Sequence, residues 1–270
     1  MSKSVWISGI LAATAGLTLA ALAARADQLP LPDAARVTLK PAAARRLLGT
    51  RVAGVDNAAI VTGQRLFGID VTLPGMLHAR VLRLPSPKAE LISTSQELQA
   101  VLDPKVRCVV LGNFVGVIAE QEWMAQQALD KLSTVARWSE PASLPDQHRL
   151  EDFLRNARNE TLATAQKGEA GPIGTDTTLS STYFKPYLAH ASIGLCCALA
   201  HFDGRQLEVW THSQGIHNLR DDMVRALSAG PHPLKKEQIT IHHAEGAGCY
   251  GHNGADDVAF DAALLALEQP

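Results

Sequence analysis

No stretch of this 270-residue chain concentrates charge of one sign: 25 Lys and Arg are balanced by 27 Asp and Glu, a formal net charge of −2. Binding a phosphate backbone needs a concentrated basic surface, so nucleic acid is excluded as an expected partner. Past the N-terminal segment no apolar run approaches the roughly 20 residues that span a bilayer,. Cysteine is scarce, and Cys108, the vicinal pair Cys196 and Cys197, and Cys249 form no spacing that resembles a disulfide framework,. Cys108 lies in an apolar run, where a buried free thiol is the expectation,. Glycine-rich stretches exist, but none has the GxGxxG spacing of dinucleotide folds or the lysine of a P-loop, so neither NAD nor ATP is favoured.

What is there begins with a targeting signal. Lys3 precedes the apolar run Val5 to Ala24, and Ala24-Arg25-Ala26 offers the small residues that signal peptidases accept. Residues 1–26 therefore read as a signal peptide cut after Ala26, with an uncleaved anchor as the alternative. The expected location is the periplasm or the inner membrane, with membrane contact only through this segment, or the cytoplasm if the segment is not a functional signal. No twin-arginine pair precedes the run.

The remainder is 46% hydrophobic overall and can bury one large core or two modest ones,. Residues 27–57, rich in Pro, Ala and Arg, read as a lead-in with helical propensity only around Pro41 to Leu48. Residues 58–138 read as an α/β module: a turn and short strand over 61–70, an alternating strand Met76 to Arg83, a helix Gln96 to Leu102, strands Val106 to Leu111 and Phe114 to Ala119, and a helix Glu120 to Val135 carrying Trp123, Ala128, Leu129 and Leu132,. A helix-bearing connector covers 139–175. From 176 to 270 the expected order is a strand Leu179 to Phe184, a hairpin of Gly194 to Phe202 with Leu207 to Thr211, a helix Gly215 to Leu227, a strand Gln238 to His243, a glycine-rich turn and a helix Asp256 to Leu267,. The fold class is α+β.

The strand, glycine-rich turn and helix at the end carry the chemistry. Gly246, Gly248, Gly251 and Gly254 allow positive φ and close backbone approach, and the helix start presents unpaired N–H groups to an anionic or heterocyclic ligand,. A tight turn serving only packing is the competing reading. His242, His243, Cys249 and His252 could be drawn as a zinc site, but adjacent strand residues point to opposite faces and the spacing fits no usual ligand pattern,. Cys196 and Cys197 read as buried strand residues rather than a redox pair, and His190 and His217 as hydrogen-bonded core histidines rather than pocket lining.

Three strings then appear in a recognisable order: Tyr183-Phe-Lys-Pro-Tyr-Leu-Ala-His-Ala-Ser192, Leu207-Glu-Val-Trp-Thr-His-Ser-Gln214 and Glu245-Gly-Ala-Gly-Cys-Tyr-Gly-His-Asn-Gly-Ala-Asp-Asp257. Upstream stand Val61-Thr-Gly-Gln-Arg-Leu-Phe-Gly-Ile-Asp70, continuing to Arg83, and Gly112-Asn-Phe-Val-Gly-Val-Ile-Ala119. Together, over residues 40–270, they resemble the large subunit of the molybdenum hydroxylases, the family of xanthine dehydrogenase and aldehyde oxidase, in its nicotinate dehydrogenase and isoquinoline oxidoreductase branch. The resemblance implies an α/β hammerhead-like domain followed by the first part of a mixed α+β molybdopterin-binding domain. It implies a molybdenum–pterin cofactor, the cytosine dinucleotide form among its variants, and iron–sulfur clusters on a partner subunit.

Residue by residue, Gln214 matches the glutamine whose amide approaches an oxygen ligand of molybdenum. Gly246, Ala247, Gly248, Cys249, Tyr250 and Gly251 match the Gly-Gly-Gly-Phe-Gly-Gly loop that packs on the pterin, with departures at Ala247, Cys249 and Tyr250. The metal in that family is held by the cofactor's sulfurs, so no protein metal ligand is expected. The implied reaction is hydroxylation of a small aldehyde or an N-heterocycle such as nicotinate. The family's catalytic glutamate, in a Gly-x-Gly-Glu-type motif, has no counterpart here: Glu169 and Glu245 sit in different contexts, and no catalytic residue is assigned. The Gly-Gln-Gly segment of related subunits is likewise not found. The expectation is a slice of a larger subunit, active only with a second chain that completes it, or a non-catalytic remnant or assembly module of the same fold.

Overall fold

A computed structural model describes residues 28, 30, 33–64, 67–160, 162–165, 167–168, 179–246, 248–254 and 257–269. The chain divides into two units between Ala58 and Ala59. Ahead of the boundary, the described residues form single 3-10 turns at Ala34–Arg36 and Ala42–Ala44. The helix expected over Pro41 to Leu48 is thus one turn long, since Arg45 is already extended. So short a segment gains too little from propensity alone to stay helical. The signal-like residues 1–26 lie outside the described residues, and no described helix is long and apolar enough to cross a membrane.

A short helix α1 (Asn57–Val61) leads into the segment 61–70, where a turn and short strand were expected; a 3-10 turn (Gly68–Asp70) stands there, and residues 65 and 66 of that segment lie outside the described residues. The elements that follow in the second unit are β1 (His78–Leu82), β2 (Glu90–Leu91), α2 (Ser95–Ala100), β3 (Arg107–Leu111), β4 (Phe114–Ala119), α3 (Glu122–Val135), β5 (Trp138–Ser139) and α4 (Leu150–Asn156). They continue with β6 (Ala198–Phe202), β7 (Leu207–Thr211), α5 (Ile216–Leu227), β8 (Ile239–His243) and α6 (Val258–Leu267).

The antiparallel sheet β1-β4-β3 has β4 at its centre. Alternation sends Val115, Val117 and Ala119 to one face, against Leu98 of α2 and Ala125, Ala128 and Leu132 of α3,. Ile118 faces the other way, in a cluster with Val109 and with Leu265 of α6. A strand covered on both faces must be apolar throughout, which explains the unbroken run Phe-Val-Gly-Val-Ile-Ala. Gly116 brings β4 close to α6: a Cβ at this position would lie 2.5 Å from Leu265 Cδ2, and that side chain would have to shift. Trp123 departs from expectation: the buried stripe of α3 is Ala125, Ala128 and Leu132, and Trp123 lies off it, 63% exposed.

The second sheet, β6-β7-β8, pairs β6 and β7 as a hairpin and β7 and β8 in parallel. The hairpin turn is fixed by Asp203, whose carboxylate accepts from the backbone N–H groups of Arg205 (2.8 Å) and Gln206 (2.6 Å). Those bonds favour the charged form and hold its pKa below the usual value,. Gly204 takes the positive φ of 88° that the turn needs,. Leu207, Val209, Met223, Leu227, Ile239, Ala259, Ala263 and Leu267 form the core under this sheet. Helix α6 is apolar nearly all round because it lies between the two sheets: Ala259, Ala263 and Leu267 serve the second, and Leu265 the first,.

The strand expected over Leu179 to Phe184 is absent, and Leu179 and Tyr183 are more than nine-tenths exposed. β-forming side chains make a strand only where a neighbouring edge can pair with them, and here none does. For the same reason the strand expected from Gly194 begins only at Ala198, where pairing with Thr211 starts. Cys196 and Cys197 therefore precede the strand instead of lying within it.

Candidate functional site

The parallel crossover β7–α5–β8 brings both strands to the same edge of the sheet, with Thr211 opposite His243. Ala244 N–H extends the ladder by one bond, donating to Thr211 O at 2.9 Å. The segments that leave the two strands, residues 212–215 and 244–254, consequently lie side by side. In open α/β sheets ligands collect beyond the carboxyl ends of the strands, where loops converge and helix N-termini point outward. Gln214 and the glycine-rich turn, 32 or more residues apart in sequence, meet at that edge: Gln214 N–H donates to Asn253 O at 3.3 Å. Its side-chain oxygen lies 3.3 Å from where a Cβ on Gly254 would stand. Helix α5 begins immediately after it, at Ile216, with no side-chain cap over its first N–H groups.

The glycines of the turn work differently from the sequence expectation. Their missing side chains leave room for the protein itself. A Cβ on Gly246 would stand 2.6 Å from His212 Nδ1, one on Gly248 2.9 Å from the Tyr250 ring, and one on Gly251 3.4 Å from His190. Gly248 and Gly251 also hold positive φ, 106° and 96°. Tyr250 has φ 51°, a left-handed conformation that is costly for a residue with a Cβ,. It departs from the resembled loop in residue type, yet it holds a backbone conformation that favours glycine. Cys249 Sγ accepts from Gly251 N–H at 3.3 Å and is thereby engaged within the turn. Ala247 lies outside the described residues.

Three residues without a distinct sequence signal help build the site. His212 is 4% exposed, and its Nε2 accepts from the backbone N–H of Cys197 at 3.3 Å, joining the β7 exit to the strand β6 entry. Gly68 N–H donates to Glu245 O at 2.7 Å, anchoring the start of the turn from the distant 3-10 turn. Asn253 is 7% exposed, and its side-chain oxygen receives no hydrogen bond. All three stand inside the family-like strings, but only tertiary contact gives each a role.

His190 and His217 are both exposed, which corrects their reading as core histidines. His190 lies against the turn, its ring centroid 5.5 Å from that of His252, whereas His217 sits on the outer surface of α5. None of the four cysteines is in a disulfide among the described residues. Burial pushes the Cys108 thiol up to about 11, and burial likewise raises Cys197,. Among the described residues no group of three or more His, Cys, Asp or Glu is placed to hold a metal ion.

No protein-family profile matches the chain. It is 35% identical over 238 aligned residues to one of the subunits of nicotinate dehydrogenase from Pseudomonas putida, a match that covers 83% of this chain and 20% of that protein. Among solved structures, quinoline 2-oxidoreductase of Pseudomonas putida 86 superposes with a TM-score of 0.58 at 20% identity, over 82% of this chain and 33% of that one. Aldehyde oxidoreductase of Desulfovibrio gigas gives a TM-score of 0.55 at 17% identity, over 79% and 28% respectively. The chain thus spans one fifth of the length of the curated relative and about a third of the structural ones. Its similarity in sequence to the first and in fold to the others extends over about four fifths of its residues: the chain is a partial homologue of that nicotinate dehydrogenase component and belongs to the molybdenum hydroxylase family.

Proposed function

We propose that this chain supplies one wall of a molybdopterin site in a molybdenum hydroxylase that oxidises an aldehyde or an N-heterocycle such as nicotinate. The observation that carries this reading is the convergence of Gln214 and the Gly246–Gly251 turn at the carboxyl edge of the β7–β8 pair. The residues present suit a flat heterocycle: the turn keeps its backbone near the surface, with Tyr250 and Gly251 exposed, and the Gln214 amide is open to solvent. When bound, the molybdenum–pterin group supplies the two-electron oxidation chemistry. This chain's part is to hold and orient it through Gln214 and the turn residues Gly246, Gly248, Cys249, Tyr250 and Gly251, with Ala247 among them in sequence.

Two further parts of the reading concern partners. Electrons leave to an iron–sulfur protein, and the remainder of the large subunit completes the pocket. Supporting the second is the segment on either side of His190, where Tyr187, Leu188, Ile193 and Leu195 are each at least 70% exposed. An exposed apolar strip of this kind marks an interaction surface.

Molybdenum and pterin content, measured on the protein purified alone and with its neighbouring gene products, tests the proposal. Molybdenum and pterin near one per chain in the co-purified complex is the expected result; neither in any preparation would leave the assembly-module reading in its place. We also propose, from Lys3 and the run Val5 to Ala24, that the chain is exported or anchored,. N-terminal sequencing of the mature protein is expected to begin at Asp27, or to find an uncut N-terminus in the membrane fraction; an uncut N-terminus in the soluble fraction would defeat it.

A further inference from the structure

Asn253 carries a polar group that the fold does not use. It is 7% exposed, yet its side-chain oxygen accepts no hydrogen bond. Leaving a buried acceptor without a donor is destabilising, whereas an apolar side chain of the same shape at the same place would carry no such penalty. Nor does the local backbone need an asparagine. The residue is not among those with positive φ, and its bond to Gln214 uses the main-chain carbonyl, which any residue could provide. The side-chain amide is therefore maintained against the interest of the folded chain, and a ligand is the natural source of the missing donor.

Its position says which ligand. Asn253 lies in the 3-10 turn His252–Gly254, between Gly251, whose α-carbon faces His190, and Gly254, whose α-carbon faces the Gln214 amide. The orphan acceptor is thus built into the same short segment that joins the glycine-rich turn to Gln214. A neutral amide oxygen needs an N–H or O–H donor, which a phosphate group of a cofactor tail does not offer at neutral pH and a pterin ring does.

Resting on the functional reading above, we propose that Asn253 is a cofactor-binding residue whose side-chain oxygen accepts a hydrogen bond from a ring N–H of the pterin held against the Gly246–Gly251 turn. The test uses the co-purified protein and two readouts: pterin per chain, from the fluorescence of the oxidatively released product, and the thermal midpoint of the cofactor-free chain. Asn253→Leu is expected to lower pterin content at least fivefold while leaving the cofactor-free midpoint unchanged or raised. Asn253→Ser keeps a neutral side-chain oxygen without adding a buried charge and is expected to retain more pterin than Asn253→Leu. Wild-type pterin content in Asn253→Leu overturns the inference and leaves the functional reading standing. A parallel fall in midpoint and pterin in both variants overturns it too, because the amide would then be structural. Absence of pterin from the wild type in every preparation overturns both.

Discussion

Replacing Gly246 with alanine is expected to lower cofactor content more than tenfold and to destabilise the chain by about 1–3 kcal/mol, the usual cost of forcing extra volume into a packed site. The added methyl would stand 2.6, 2.8 and 3.1 Å from Nδ1, Cγ and Cβ of His212. A flexible side chain could swing away from such a contact. His212 has little freedom to do so: it is 4% exposed and its Nε2 receives the Cys197 N–H. The turn must move instead, pulling Glu245 O away from Gly68 N–H and breaking the register between the turn and Gln214. Shrinking the obstacle should relieve part of the effect. The double variant Gly246→Ala with His212→Ala is expected to hold more pterin than Gly246→Ala alone, a coupling that appears only between residues in contact. Equal pterin content and equal denaturation midpoints in Gly246→Ala and wild type would show that the turn has slack these distances do not suggest.

That contact also marks the limit of what could be read from sequence. Period and punctuation located β3, β4, β7, α3, α5 and α6 to within a residue or two, since each has its own apolar alternation or stripe and its own stop signal. The glycine-rich turn was legible as a candidate site for the same local reason. What the glycines are for was not. Sequence suggested room for a ligand, whereas the geometry assigns that room to His212, Tyr250 and His190, residues brought in by tertiary packing. Leu179 to Phe184 failed in the opposite direction: its composition favours a strand, but pairing requires a neighbour that composition does not reveal. Asn253 stands inside a family-like string, but nothing in the sequence marked its role, because an unsatisfied acceptor is defined only by the absence of a donor around it.

Loss of the Arg83 side chain is expected to destabilise the chain at a point away from the site. Arg83 follows β1 and reaches 178 residues along the chain to α6, where its guanidinium pairs with Asp261 and, at 2.9 Å, with Asp257. The two carboxylates are not equivalent. Asp257 has a side chain 66% exposed, so its pair with Arg83 contributes little, as surface pairs generally do,. Asp261 is 7% exposed, in a helix otherwise given over to apolar residues between two sheets. Removing a partner of a buried carboxylate costs up to about 3–5 kcal/mol in full burial; Arg83 is half-exposed and is not the sole contact of Asp261, so about 1–2 kcal/mol is the expectation for Arg83→Met,. In a unit of this size that corresponds to a fall of roughly 2–8 °C in the thermal midpoint. Asp257→Asn should cost under about 1 kcal/mol. The combined variant Arg83→Met with Asp261→Leu should recover most of the loss, since two apolar groups of similar volume can replace a buried pair. If Arg83→Met and Asp257→Asn gave equal, small shifts in denaturant midpoint, Asp261 would not depend on Arg83. Because α6 starts shortly after Gly254, a loosened α6 should also reduce pterin retention, so Arg83→Met couples the packing of the first sheet to the turn that carries the site.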